Sequence, residues 1–117
     1  MPAAIEYVKA GQLHALAVTT AARSETLPDI PTVGDFVPGY EASSWFGIAA
    51  PKDTPAAIVD ALNRETNAGL ADLKIMARLA DMGGMVLAGS PADFGKLIAD
   101  ETAKWAKVIK AAGIKPQ

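Results

Sequence analysis

The sequence predicts an α/β fold in which helices cover a small mixed sheet. Two short, largely apolar runs, Leu13 to Thr20 and Ser44 to Pro51, have the length and composition of buried strands. The second half of the chain instead carries apolar residues at helical spacing, with prolines and glycines where helices begin and end. The resulting order of strand, crossover, strand, helix, helix, strand and helix is typical of α/β proteins.

A helix end and a long irregular crossover flank the first predicted strand. Residues 3–10 are predicted to form the last turns of a helix that Gly11 stops. Residues 21–43 contain three prolines, which exclude a regular helix or a central strand because proline lacks a backbone donor. Within this crossover we expect a single helical turn from Thr32 to Phe36, with Thr32 as its cap.

Two helices are predicted directly after the second strand. The first is expected to be capped by Thr54, with Pro55 at its first helical position. The second is expected to run from Asp72 to Met82 and to stop at Gly83. The residues at helical spacing that we expect on the inward face of the first helix are Ile58, Val59, Leu62, Thr66 and Leu70.

A brief strand over residues 85–87 and a long last helix complete the predicted elements. Ser90-Pro-Ala-Asp93 combines an N-cap, a proline at the first helical position and an acidic third residue, which together form a capping box. Asp100 and Glu101 are both expected to pair with Lys104. The apolar residues of this helix that we expect in the core are Phe94, Leu97, Ile98, Trp105, Val108 and Ile109.

Composition restricts the class of protein. With 117 residues, half of them apolar, one compact domain with a sizeable core is expected. The formal net charge of −2 argues against nucleic acid or an anionic membrane as a partner. No cysteine is present, which excludes disulfides and thiol catalysis. No export signal is expected, because the first residues lack a basic start followed by an apolar run.

Candidate catalytic and metal-binding groups are scarce, so neither an enzyme nor a cofactor is predicted. The only histidine, His14, lies inside the first apolar run and is expected to be partly buried. Asp29, Asp35 and Glu41 lack the alternating spacing of a calcium loop. No serine lies in a Gly-x-Ser-x-Gly turn. The residues therefore favour binding over catalysis.

The best candidate ligand-binding residues lie where the first predicted strand ends. Open α/β sheets bind ligands at this edge, and the hydroxyls and backbone N–H groups of Thr19 and Thr20 can hold a carboxylate. The alternative is that both threonines only turn the strand end. Arg23 can pair with an anion or simply lie on the surface.

The start of the second predicted strand completes the candidate set. Ser44 and Trp45 follow the crossover directly. Adjacent strand residues face opposite sides, so at most one of Trp45 and Phe46 lines a cleft, and core packing is the favoured role for both.

From about Val8 onward the sequence resembles the Bug-type receptors, the extracytoplasmic solute-binding proteins of tripartite tricarboxylate transporters. The matching stretches are Lys9-Ala-Gly-Gln-Leu-His-Ala-Leu-Ala-Val-Thr-Thr, Arg23-Ser, Leu27-Pro-Asp-Ile-Pro-Thr-Val, Pro38-Gly-Tyr-Glu, Trp45-Phe-Gly-Ile-Ala-Ala-Pro, Thr54-Pro, Leu62-Asn63, Ser90-Pro-Ala-Asp-Phe and Lys104-Trp-Ala-Lys-Val-Ile-Lys-Ala-Ala-Gly-Ile-Lys. The resemblance implies a two-lobed periplasmic binding protein that closes on a small carboxylated solute and then meets membrane permease subunits.

The same resemblance implies how the chain is divided. Residues 1–43 would form the end of the second lobe plus the crossover segment, and residues 44–117 the C-terminal part of the first lobe. The family's signal peptide and N-terminal lobe are not recognisable here, so we expect a fragment that binds solute weakly or not at all by itself. The alternative expectation is a self-associating structural module, for example a homodimer that exchanges the segments around Leu27 to Trp45.

Overall fold

Helices supply nearly all the regular structure of this chain. The computed structural model describes residues 2–115, with side chains from residue 4 onward. Its elements are helix α1 (Pro2–Lys9), a 3-10 turn (Val33–Asp35) and helices α2 (Ala56–Leu70), α3 (Leu73–Asp81) and α4 (Pro91–Ala111). Among the helices of this part of the chain, none combines the length and apolarity that crossing a membrane would need.

The elements group into two compact units. The first contains Met1–Phe46 and Ala68–Leu87, and the second contains Gly47–Asn67 and Ala88–Gln117. The boundary near residue 46 separates the crossover from most of α2 and from α4. The division at residues 43 and 44 into parts of two lobes stays a prediction.

Local signals placed most of the helix ends correctly. In the first turn of α4, the amide N–H of Asp93 donates to Ser90 Oγ (3.1 Å), and the N–H of Ser90 donates to Asp93 Oδ2 (2.8 Å). Thr32 and Asp35 form the same reciprocal pair around the 3-10 turn. Gly11 and Gly83 have φ values of 70° and 74°, the left-handed conformation that ends a helix. The predicted capping box at Ser90 and Asp93, the predicted cap at Thr32 and the glycine stops are therefore confirmed.

Thr54 does not cap α2 as predicted. Its hydroxyl and its amide N–H both donate to the carbonyl of Pro51, at 2.8 and 3.3 Å. These bonds close a turn in which Asp53 has a φ of 67°, so that α2 begins only at Ala56. Among the described residues, no amide N–H of the first turn of α2 donates to this hydroxyl, which lies against the preceding turn instead.

The ion pairs on α4 differ in part from the prediction. Lys104 pairs with Glu101 at 3.0 Å, as expected. Asp100 instead pairs with Lys96, one turn toward the N-terminus. Lys96 and Lys104 are each four residues from Asp100, so the spacing alone does not distinguish them. Lys104 also lies over the ring of Trp105, 5.7 Å from its centroid.

The three predicted strands do not form a sheet within residues 2–115. Their one pairing in this range is an isolated parallel bridge between Val18 and Thr32. Residues 14–17, 43–50 and 85–88 are extended or irregular. A strand needs a neighbour to satisfy its backbone groups, and the described residues supply one only at Val18. The predicted sheet is thus not confirmed.

The expected sizeable core is also absent from the described residues. Only two apolar side chains there are buried, Ile5 (2 % exposed) and Val18 (5 %). Trp105 is 38 % exposed and Phe46 is 93 % exposed, although both were predicted to pack in a core. His14 is exposed, not partly buried. The helices do carry apolar residues at helical spacing, but many of these side chains are not covered by other elements within residues 2–115.

In the second unit, two amides of α2 hold the turn that starts α4. The side-chain Nδ2 groups of Asn63 and Asn67 both donate to the carbonyl of Gly89, each at 2.9 Å. The N–H of Gly89 donates back to Asn67 Oδ1 at 3.4 Å. This arrangement places Ser90 for its capping role through contacts more than 20 residues apart.

We expect the two capping carboxylates to make folding sensitive to acid. Hydrogen bonds from the Ser90 hydroxyl and amide lower the pKa of Asp93, and the Thr32 amide and hydroxyl, with help from Arg23, lower the pKa of Asp35. A lowered folded-state pKa adds stability that is complete above the ordinary value of 3.8 and is lost as the pH falls through the folded-state value.

The variant Asp93→Asn should therefore melt at a lower temperature than the wild type at pH 7. The difference should shrink as the pH falls below about 4. Circular dichroism melts at pH 7, 5, 4 and 3 measure it. The control is Asp60→Asn, which changes an exposed carboxylate on α2. A difference in melting temperature between Asp93→Asn and the wild type that is the same at all four pH values would contradict the prediction.

Candidate functional site

The candidate site is built on the end of the first predicted strand. The N–H of Val18 donates to the Pro31 carbonyl, and the N–H of Val33 donates to the Val18 carbonyl, both at 2.8 Å. On the opposite edge, the carbonyl of Thr19 accepts from the N–H of Ala42 at 2.8 Å. The crossover thus lies against both edges of Val18 and Thr19 and holds them in place.

The loop after this anchor, residues 19–26, offers a run of backbone donors. In the described part of the chain, no N–H group of these eight residues donates to a backbone carbonyl or to a side chain. The carbonyls of Thr19, Ala22 and Ser24, in contrast, all accept hydrogen bonds. Backbone N–H groups that have no partner in the protein can donate to an anion such as a carboxylate.

The two threonines have different roles in this loop. The Thr20 hydroxyl donates to the Ala22 carbonyl at 2.6 Å, so it turns the strand end, one of the two alternatives that the sequence left open. Thr19 is exposed, and its hydroxyl has no hydrogen-bond partner among residues 2–115. The groups of these two threonines that are left to donate are therefore the Thr19 hydroxyl and the N–H of Thr20.

Arg23 already has one acidic neighbour. Its Nη2 lies 3.4 Å from Oδ2 of Asp35, and both side chains are about half exposed. Asp35 is held in turn by the N–H of Thr32 at 3.1 Å. Only one of the five guanidinium donors is used in this pair, so the others can reach a second anion. Sequence reasoning missed the pairing of Asp35 with Arg23, because no local motif links two residues that are 12 positions apart.

Ser44 and Trp45 lie just beyond the point where Ala42 meets Thr19. Ser44 is exposed, Trp45 is half-buried and Phe46 is exposed. This alternation agrees with the expectation that adjacent side chains in an extended segment face opposite sides. All five predicted site residues thus belong to the first unit, with Thr19, Thr20 and Arg23 in one loop.

A separate cavity of about 280 Å³ lies within the first unit. It is bounded by the loop after Arg23, by one face of α3 and by the turn that follows α3, with Ser24, Glu25, Thr26, Met76, Ala80, Gly83, Gly84, Met85 and Val86 as its lining. The hydroxyls of Ser24 and Thr26 hydrogen-bond to each other at 2.9 Å across its edge. Sequence reasoning missed this cavity because its walls come from segments some 50 residues apart.

No group of three or more His, Asp or Glu side chains suited to a metal ion occurs in the part of the chain with described coordinates. The groups available at the end of the first predicted strand are N–H groups, a hydroxyl and a guanidinium, all of which are hydrogen-bond donors. In the described residues the arrangement does not bring a nucleophile, a base and an oxyanion site together.

Comparison with known proteins identifies a family. The family described as "Tripartite tricarboxylate transporter family receptor" matches residues 1–114. The protein BugT of Bordetella pertussis is 35 % identical over 116 residues, which cover 98 % of this chain and 36 % of BugT. A UPF0065 protein of Agrobacterium vitis is 39 % identical over 110 residues, or 91 % of this chain and 32 % of the relative.

Two solved structures are similar over nearly the whole chain. The structure "R. palustris Rpa4515 with adipate" is 41 % identical, with a TM-score of 0.87, and the match covers 99 % of this chain and 39 % of that one. The periplasmic binding protein BugD is 35 % identical, with a TM-score of 0.85, covering 97 % of this chain and 39 % of BugD. The chain therefore spans about a third of the length of the relatives that it matches.

Proposed function

This chain belongs to the tripartite tricarboxylate transporter receptor family, and we propose from that premise that it forms the C-terminal portion of a receptor for small carboxylated solutes. Receptors of this family bind solutes and are not enzymes, and we extend both properties to this chain. The observation that carries the proposal is its likeness, over nearly its whole length, to a receptor solved with adipate.

The geometry of loop 19–26 supports a carboxylate as the ligand. Backbone N–H groups without partners in the described residues, the Thr19 hydroxyl and the half-exposed Arg23 are all donors. An ionised carboxylate accepts only, and it forms its strongest bonds with charged donors. We assign Thr19, Thr20 and Arg23 to the solute carboxylate, and Ser44 and Trp45 to the adjoining wall.

The surroundings of the receptor follow from the same premise. The proposal places the mature receptor in the periplasm and makes membrane permease subunits its partners, as the family name implies. We propose no cofactor, metal or nucleic acid as a partner.

A second candidate function, a self-associating module, is favoured by one observation. Several large apolar side chains are exposed, among them Phe46 (93 %), Leu73 (80 %) and Leu16 (77 %). Exposed apolar surface of this kind promotes association between copies. Size-exclusion chromatography with light scattering, combined with calorimetric titration, distinguishes the two functions. A homodimer that gives no heat with carboxylates would favour the self-associating module.

The receptor proposal is tested by exchanging segments. In a chimera, the segment of the Rpa4515 receptor that matches this chain is replaced by residues 1–114. We expect the chimera to bind at least one acid from a panel of small mono- and dicarboxylates that includes adipate, as measured by calorimetric titration.

Unmodified Rpa4515 receptor is the positive control for the titration. Because selectivity differs among relatives, the panel as a whole decides the outcome. A chimera that melts cooperatively and yet binds none of the acids would contradict the proposed function.

A further inference from the structure

The cavity within the first unit has the size and the access of a small-molecule site. Its volume is about 280 Å³, whereas an apolar cavity of about 150 Å³ holds a benzene molecule. It therefore has room for an aromatic ring with a short substituent. Two of its lining residues, Met76 and Met85, are 41 % and 57 % exposed, so that a ligand can enter from solvent. Every residue that lines it belongs to the first unit.

Most of the lining is apolar and adaptable. Its apolar side chains, from α3 and from the residues after it, are those of Met76, Ala80, Met85 and Val86. Gly83 and Gly84 also belong to the lining and have no side chains that would fill the space. Methionine is unbranched and polarisable, and its sulfur makes favourable contacts with aromatic rings. This part of the cavity therefore suits an aromatic or aliphatic body.

Backbone hydrogen bonds hold the segments that bound the cavity. In the turn after α3, the N–H of Gly84 donates to the Leu79 carbonyl at 2.9 Å. In the loop after Arg23, the N–H of Leu27 donates to the carbonyl of Ser24 at 3.1 Å, and Ser24 is buried. The cavity is thus largely pre-formed, which is typical of sites for small molecules.

The loop contributes polar groups and one negative charge. The hydroxyls of Ser24 and Thr26 lie 2.9 Å apart, and their oxygens keep lone pairs that can accept from a ligand. Among the lining residues that the structure describes, Glu25 is the only one with an ionisable side chain. Its carboxylate forms no ion pair with another described residue, since Arg23 pairs with Asp35 instead. An apolar lining beside an unpaired carboxylate favours a cationic ligand with an apolar body.

We propose that this cavity is a second binding site, for a small organic cation that joins a body the size of an aromatic ring to an ammonium group. The body lies against the methionines and glycines, and the ammonium lies near Glu25. An ammonium only donates, so the hydroxyl oxygens of Ser24 and Thr26 can accept from it. The site does not involve Thr19, Thr20 or Arg23, and it therefore does not rest on the proposed function.

NMR of the 117-residue chain, with its methionine methyl groups labelled, tests this proposal. Benzylammonium is the ligand that is titrated, and benzyl alcohol and benzoate supply the same ring with no charge and with a negative charge. We expect benzylammonium to shift the methyl signals of Met76 and Met85 in a saturable way. Met82 does not belong to the lining and is the internal reference. Benzyl alcohol should bind more weakly than benzylammonium, and benzoate should bind most weakly.

Two substitutions separate the charge from the space. Glu25→Gln should weaken the binding of benzylammonium by about 3- to 5-fold, the effect of losing one exposed ion pair, and should leave that of benzyl alcohol unchanged. Ala80→Phe should fill the cavity and abolish the binding of both. Its matched control is Ala77→Phe, which places the same ring on an exposed part of α3 outside the lining and should not affect binding.

Signals of Met76 and Met85 that do not saturate, or that move no more than that of Met82, would overturn the proposal. Benzoate binding as tightly as benzylammonium would also overturn it, because the carboxylate of Glu25 would then not select the ligand. Equal loss of benzylammonium and benzyl alcohol in Glu25→Gln, or no loss of either, would have the same consequence. The comparison at Glu25 decides the outcome even where Ala80→Phe does not fold.

Discussion

Gly47→Ala should destabilise the second unit, by about 1–3 kcal/mol. A β-carbon at Gly47 would lie 2.6 Å from Cε2 and 3.0 Å from Cε1 of Phe94, which is closer than carbon atoms pack. Replacing glycine elsewhere commonly gains about 0.4–1 kcal/mol from the unfolded chain. Here the steric cost is larger, so we expect a net loss and a thermal midpoint lower by about 4–8 °C for each kcal/mol.

Gly95→Ala is the matched control for this prediction. Gly95 lies inside α4, and a β-carbon there meets nothing within 4 Å. Because glycine is a poor helix former, this substitution should instead stabilise the protein by about 0.5–1 kcal/mol. The two glycine-to-alanine changes, measured by circular dichroism melts, should therefore have opposite signs.

A double-mutant cycle identifies the contact responsible. If Phe94 causes the clash, Gly47→Ala should cost little or nothing in a Phe94→Ala background. An unchanged cost in that background would show that the ring of Phe94 is not the obstacle to a β-carbon at Gly47.

Arg23→Ala should weaken solute binding by about 10- to 100-fold in the chimera. Hydrogen bonds between a charged donor and a carboxylate contribute about 1.5–3 kcal/mol, which corresponds to this range. Arg23→Lys should recover part of the loss, because it keeps the charge and gives up the planar fork of donors. Calorimetric titration with the acid that binds the unsubstituted chimera most tightly provides the measurement.

The control for Arg23 is Arg64→Ala, near the middle of α2. Arg64 also forms an exposed ion pair, with Glu65 at 3.2 Å, and it lies outside the candidate site. Exposed pairs of this kind contribute little to stability, so neither alanine variant should unfold the protein. Affinity that changes less than twofold in Arg23→Ala would exclude a direct contact between Arg23 and the solute.

Much of the local structure was predictable because its determinants lie within a few residues of each other. A capping box needs only Ser90 and Asp93, three positions apart, and Thr32 with Asp35 repeats the same geometry. Gly11 and Gly83 stop helices because glycine enters the left-handed region without a steric penalty. Thr54 shows the limit of this reasoning, since its hydroxyl lies against the preceding turn and donates to the Pro51 carbonyl, a position that the local motif does not reveal.

Burial was less predictable, because helical periodicity shows which face is apolar but not what covers it. Trp105 fits the apolar stripe of α4, yet it is 38 % exposed, and its indole N–H donates to Glu101 at 2.8 Å. The extended runs likewise have strand composition, but within residues 2–115 only Val18 finds a strand-like partner, at Thr32. A strand forms only when another strand pairs with it, and the composition of a segment does not show whether such a partner is present.

The candidate site divides in the same way. The sequence alone determined most helix ends and the family, because short motifs and their order along the chain carry that information. It also selected the residues of loop 19–26 as a candidate site, which stays a prediction. Tertiary structure alone decided that Asp35 faces Arg23, that Thr20 spends its hydroxyl on a turn and that Asn63 and Asn67 hold Gly89. A hydrogen bond forms only when its donor and acceptor atoms lie about 3 Å apart. Whether residues that are distant in the sequence come that close depends on the path of the backbone between them.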